Sequence, residues 1–139
     1  LYVCEPLKEH ALIDKGDERF WGYTEDDALE YFFDNIGSIC KGINKVVIRP
    51  HPSESSEKYR WTLDKTNLQI VLGGQKPLID EIKESAVVVG CESMAMVVGL
   101  LANKIVLSTI PPGGRRCQLP HKEILVLSEL VKRGKILEV

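Results

Sequence analysis

Apolar residues along this chain fall into short unbroken runs separated by stretches of helical spacing. Val46-Val47-Ile48, Val87-Val88-Val89 and Ile105-Val106-Leu107 are continuous rather than alternating, as in strands covered on both faces. Strands are expected over Leu1–Cys4, Val46–Ile48, Leu68–Leu72, Ala86–Gly90 and Lys104–Ser108, with a last short one over Lys135–Val139. Leu29, Phe32, Phe33 and Ile36 recur at helical intervals behind Thr24, a good N-cap. Acidic Glu25, Asp26 and Asp27 follow it in the first turn, where the helix dipole favours negative charge. That helix should end near Gly42. Further helices are expected over Glu54–Trp61, over Leu78–Ser85 behind Pro77, over Met94–Ala102 and over His121–Leu130. Met94, Met96, Val97, Leu100 and Leu101 read as core packing. Lys8–Gly22 is a polar stretch to which no element is assigned. Strands alternating with helices point to an α/β fold, a Rossmann-like, doubly wound and mainly parallel sheet.

The composition narrows this further. A chain of 139 residues suits one domain, and 44% apolar with 27% charged residues is the balance of a folded globule. Lys and Arg number 18 against 20 Asp and Glu, so neither nucleic acid nor an anionic membrane is the expected partner. The longest apolar run, Met94–Ala102, is far short of the roughly 20 residues that cross a bilayer. No signal-peptide pattern opens the chain, which begins at Leu1 in a strand and reads as a piece of a longer protein. Cys4, Cys40, Cys91 and Cys117 lie far apart with no CxxC pair, so they suit buried thiols of a cytosolic protein rather than a zinc site. Cys117 alone has cations beside it, Arg115 and Arg116, that lower a thiol pKa.

Ligands of such sheets bind beyond the carboxyl ends of the strands, which directs attention to the turns. After the second strand stands His51, clamped between Pro50 and Pro52. Its imidazole suits donation to a phosphate oxygen and proton transfer to a leaving phosphate, or else a local backbone bond. Arg49 beside it either forks onto a phosphate or is a surface arginine leaving the strand. After the fourth strand, Glu92-Ser93 opens a helix whose free N–H groups favour an anion, and Ser93 doubles as an N-cap. Glu92 would repel a phosphate and better suits ribose hydroxyls. After the fifth strand, Gly113, Gly114 and Arg115 belong to a loop, Pro111–Arg116, that either closes over a diphosphate or carboxylated sugar or is a solvated turn. No Walker pattern, GxGxxG, HExxH or GxSxG is present, and no metal ligand set is assigned. His10 and His121 read as isolated.

Two blocks carry a resemblance. The segment from Ala86 to Ser108, with its strand, Gly-Cys-Glu-Ser turn, small apolar helix and Asn-Lys-Ile-Val-Leu strand, resembles the C-terminal half of GT-B glycosyltransferases. Ile48 to Ser53 is similar to the His-Pro motif of bacterial sialyltransferases and polysialyltransferases, in which a Ser at a helix start follows about forty residues later, as Ser93 does. The likeness covers roughly residues 1 to 127. Ser93 is followed by Met94 where those enzymes usually carry Ser-Ser or Ser-Thr. The resemblance implies a single nucleotide-sugar-binding domain over 1–139, joined in the parent protein to an N-terminal acceptor-binding half that supplies the acidic base. It implies that His51 contacts and protonates the donor phosphate, that Ser93 binds the same phosphate, and that transfer from CMP-sialic acid is inverting without a required metal. Such a protein is cytoplasmic, peripheral at the inner face of the membrane, and makes surface polysaccharide; the isolated half is expected to be inactive. The alternatives are a sugar-nucleotide epimerase of the same fold and a non-catalytic α/β interaction module.

Overall fold

The unbroken apolar runs do form strands, and all of them run parallel. A computed structural model describes residues 1–139. The elements are β1 (Tyr2–Val3), α1 (Leu7–Lys15), α2 (Glu25–Ile39), β2 (Cys40–Lys41), β3 (Lys45–Arg49), a 3₁₀ segment (Ser56–Asp64), β4 (Gln69–Leu72), α3 (Leu78–Lys83), β5 (Val87–Gly90), α4 (Met94–Leu101), β6 (Ile105–Ser108), β7 (Leu125–Val126), α5 (Leu127–Arg133) and β8 (Leu137–Glu138). Six strands make one sheet in the order β4-β3-β1-β5-β6-β7, and β2 pairs with β8 separately. Taken in chain order, this is the Rossmann arrangement, with the winding reversing between β1 and β5.

Alternation along each strand divides the core between the two faces. Tyr2, Val87, Val89 and Leu107 pack with Leu29, Phe32 and Ile36 of α2 and with Leu127 and Leu130 of α5. Val3, Val88 and Val106 pack on the other face with Ile82 of α3 and Met96 of α4. Fully burying one such side chain is worth about 1.5–3 kcal/mol, so both layers are needed to hold strands as short as these. Helix α2 begins as its residues dictate: Thr24 Oγ1 accepts the Asp27 N–H at 3.2 Å while Asp27 accepts the Thr24 N–H at 3.0 Å, a reciprocal cap. No helix is long and apolar enough to cross a membrane.

Several elements depart from the expectation. The polar stretch after β1 contains a nine-residue helix, α1, which buries only Leu7 and Ala11. The segment from Glu54 to Trp61 is a 3₁₀ segment displaced to Ser56–Asp64. The expected helix over His121–Leu130 is divided: Leu125–Val126 is a strand, and α5 begins only at Leu127. Helix α2 ends in the short β2, whose residues Cys40 and Lys41 align with Leu137 and Glu138 of the final strand. The apolar helix α4 is not all core. Met96 is fully buried, but Met94 is 67% and Leu101 80% exposed, because eight residues of a surface helix present more than one face.

Candidate functional site

At the carboxyl edge, β3 is stopped by Pro50 and Pro52, and the His51 backbone between them turns back on Glu54. The His51 N–H donates to Glu54 Oε1 at 2.9 Å and the Glu54 N–H to the His51 carbonyl at 2.8 Å. The ring is fixed as well. Ser53 donates its main-chain N–H to His51 Nδ1 at 3.1 Å, with Ser53 Oγ 2.8 Å from the same nitrogen. A main-chain N–H only donates, so Nδ1 is the acceptor and the neutral ring carries its proton on Nε2. Nε2 has no hydrogen-bond partner within the protein. His51 lines a cleft of about 350 Å³ with Arg49, Glu54, Ser56 and the Gly73-Gly74-Gln75 turn, a lining with no hydrophobic residue.

Arg49 stands in that cleft's wall but is already engaged. Its guanidinium pairs with the buried carboxylate of Glu81 and donates to the Lys76 carbonyl at 2.8 Å. Glu81 also accepts the Gly74 N–H at 3.0 Å, and a Cβ at Gly73 would collide with its carboxylate. The glycine turn after β4 is thus shaped by Glu81, which reaches it from α3.

Glu54 continues inward into a set of charges that the sequence did not single out. Lys58 Nζ lies 2.9 Å from Glu9 Oε1, 2.9 Å from Glu25 Oε2 and in contact with Glu54 Oε2, which also accepts from Tyr59 Oη at 2.7 Å. Oxygens of Glu9, Glu25 and Glu54 lie within 4.8 Å of one another, a spacing that suits a metal ion, yet the Lys58 ammonium bonds to all three. Burial opposes the charge on Lys58, but the three carboxylates outweigh it and raise its pKa. Burial pushes Glu25 up, with Lys58 only partly offsetting it, whereas the more exposed Glu9 is held down by the same ammonium. Glu25 also accepts the Lys8 N–H at 3.3 Å, which satisfies the start of α1. His10, on α1, is no isolated residue: its ring meets that of His51 edge to face with centroids 6.5 Å apart.

The other half of the edge lies beyond β5. Ser93 Oγ accepts the Ala95 N–H at 3.1 Å and caps α4. Glu92 carries the most contacts: Arg115 donates to its Oε1 at 2.6 Å and the Gln118 N–H to its Oε2 at 3.1 Å. Arg115 also donates its N–H to the Trp21 carbonyl at 2.8 Å and lays its guanidinium 5.5 Å from the Trp21 ring centre. The loop after β6 is therefore tied down on both sides. Gly22 and Gly113 touch, and Gly114 packs so tightly on Tyr23 and Ile110 that a Cβ would approach each to 2.7 Å. Gly113, Gly114, Arg116 and Cys117 line a second cleft of about 300 Å³, shared with Glu129 of α5. Arg115 thus meets Glu92, while Arg116 is 3.7 Å from Glu129. With both arginines facing carboxylates, burial dominates at Cys117 and raises its thiol, opposite to the activation expected from adjacent cations. His51 and the 110–118 loop line separate clefts, with no hydrogen bond between His51 and Glu92, Ser93 or Arg115.

Between the two halves, at the reversal of the sheet, stands Glu5. Its Oε1 accepts the Glu92 N–H at 2.8 Å, and burial raises its pKa to about 7. Nothing local in the sequence singles out Glu5, because its partner Glu92 lies 87 positions away. No family model matches the chain, and no curated protein or solved structure does.

Proposed function

We propose that this domain binds the nucleotide-sugar donor of an inverting glycosyltransferase, in the manner of the C-terminal half of a GT-B enzyme, with CMP-sialic acid as the donor. The observation that carries the reading is the state of His51. Its Nδ1 is committed to Ser53, its backbone to Glu54, and its Nε2 is free beside a polar cleft at the carboxyl edge of a parallel sheet. A phosphate oxygen placed there accepts from Nε2–H. As the anomeric carbon–oxygen bond breaks, its electron pair stays on that oxygen, and the Nε2–H hydrogen bond stabilises the charge that develops there. The acceptor hydroxyl forms the new bond and gives its proton to a base supplied by an acceptor-binding half.

Ser93 supports the same reading as a cap whose Oγ accepts the Ala95 N–H while its own O–H is left to donate to a phosphate, and the Arg115 loop supports it as a cover fixed to Glu92. The test is a ligand-observed NMR titration with CMP, CDP, UMP, UDP and GDP, repeated on His51→Ala. Cytidine-selective binding that the substitution abolishes, with an unchanged melting temperature, is the expected result. Binding unaffected by the substitution, or none by any nucleotide, overturns it.

A further inference from the structure

The cleft of about 300 Å³ beside the loop after β6 differs in kind from the one that His51 lines. Its lining mixes apolar Pro111, Pro112 and Val126 with Ser128, Glu129 and Arg116. The Arg116 guanidinium stands 3.7 Å from Glu129, beyond hydrogen-bond reach, and makes no hydrogen bond within the protein. Its neighbour is the opposite case. Arg115 is spent on Glu92, and its main-chain N–H on the Trp21 carbonyl, which pins the loop and leaves the cleft preformed. One wall therefore offers an uncommitted cation beside an acceptor, on a backbone already held in place.

We infer that this cleft is the sugar subsite and takes a pyranose that carries a carboxylate, with Arg116 on the carboxylate and Glu129 accepting from a ring hydroxyl. The inference rests on the nucleotide-sugar reading above and adds which residues select the sugar. The lining decides the class. A guanidinium fork matches a carboxylate. Glu129 beside it needs a donor, which a sugar hydroxyl supplies and a phosphodiester does not. Pro111, Pro112 and Val126 present C–H surface to the C–H face of a ring, and the prolines have no N–H to give an anion. A nucleobase finds nothing to stack on, since no aromatic residue lines the cleft. The phosphate of the same donor belongs with His51, in the cleft whose lining has no hydrophobic residue.

The probe is free N-acetylneuraminate, compared by saturation-transfer NMR with its methyl ester, which keeps every ring group and removes the charge. The expected result is binding of the acid, with the ester about tenfold weaker, the worth of one charge-assisted contact. Arg116→Ala should weaken the acid by the same factor with an unchanged melt, because the side chain is 89% exposed, and should leave CMP binding as in the wild type. His51→Ala should leave binding of the acid unchanged. No binding of the acid, an ester that binds as well, or an affinity that Arg116→Ala does not lower overturns the inference; CMP binding that His51→Ala abolishes would then leave the nucleotide reading standing. Loss of CMP binding in Arg116→Ala also overturns it, because the nucleotide would then occupy this cleft. Binding of the acid without binding of any nucleotide overturns the nucleotide reading alone.

Discussion

Arg49, at the end of β3, and Glu81, in the middle of α3, form an ion pair with side chains only 17% and 8% exposed. They are 32 positions apart, and Glu81 also holds the turn after β4 through the Gly74 N–H. One carboxylate therefore holds both Arg49 and the glycine turn, which line the cleft together with His51.

Removing Arg49 leaves that carboxylate buried without its cation. Breaking a buried pair from one side costs about 3–5 kcal/mol. Arg49→Ala is expected to lower stability by about 3 kcal/mol in urea unfolding, with Arg49→Lys recovering only part because the compact ammonium on a flexible stem does not reproduce the rigid placement of the guanidinium nitrogen that bonds both Glu81 and the Lys76 carbonyl. A wild-type melt in Arg49→Ala would show that the pair contributes nothing.

Ser93 is both a helix cap and, in the proposed function, a phosphate ligand. Ser93→Ala should cost about 1 kcal/mol through the lost cap and should also weaken nucleotide binding. Thermal unfolding and NMR titration of the same variant separate the two: a loss of stability alone leaves Ser93 as a cap.

Glu5 links stability to pH with a definite sign. Its pKa rises from 4.5 to about 7 on folding, chiefly through burial. Below both values the two states are protonated alike and Glu5 contributes nothing. Between them the folded chain keeps a proton the unfolded chain has lost, so stability falls as pH rises, and above about 7 the cost is complete. The cost is on the order of 3 kcal/mol. Urea melts from acid to neutral pH should show this decline in the wild type and a shallower one in Glu5→Gln.

Lys58 is the only cation among Glu9, Glu25 and Glu54, of which Glu25 and Glu54 have side chains 4% and 3% exposed. Lys58→Met should destabilise the domain at neutral pH by about 3 kcal/mol or more. Protonation then relieves the orphaned carboxylates, so part of the loss should return as the pH is lowered. Denaturant midpoints at neutral and mildly acidic pH provide the comparison, and an unchanged midpoint at both would rule out a structural role for the ammonium.

The sheet was legible in the sequence because its strands are covered on both faces and carry no polar interruption. Val87-Val88-Val89 and Ile105-Val106-Leu107 lie where expected and in register with each other. The Thr24 and Ser93 caps were legible because capping is local chemistry. Helix α1 was not, since it rests on two buried residues and its start is satisfied by Glu25 from another helix. Nor was the boundary at Leu127, where a strand passes into a helix with no side-chain cap. In α4 every residue is apolar except Gly99, so no periodicity marks which face Met96 occupies. The site was half visible. His51, Glu92 and Ser93 stand at strand ends that the topology makes important, but the partners of Arg49, the placement of His10 and the charges around Lys58 depend on contacts between distant segments.

Strand β1 has two residues, yet it is the seam of the sheet, aligning Val3 with Arg49 on one side and Tyr2 with Val89 on the other. The pairs β3–β4 and β5–β6–β7 each close over short stretches of chain, whereas β1 reaches across much longer ones. The assembly order with least loop-closure entropy at each step forms these two half-sheets first and inserts β1 last. Glu5 follows β1 directly, so its hydrogen bond to the Glu92 N–H, which ties the turn after β1 to the turn after β5, forms only with that final insertion.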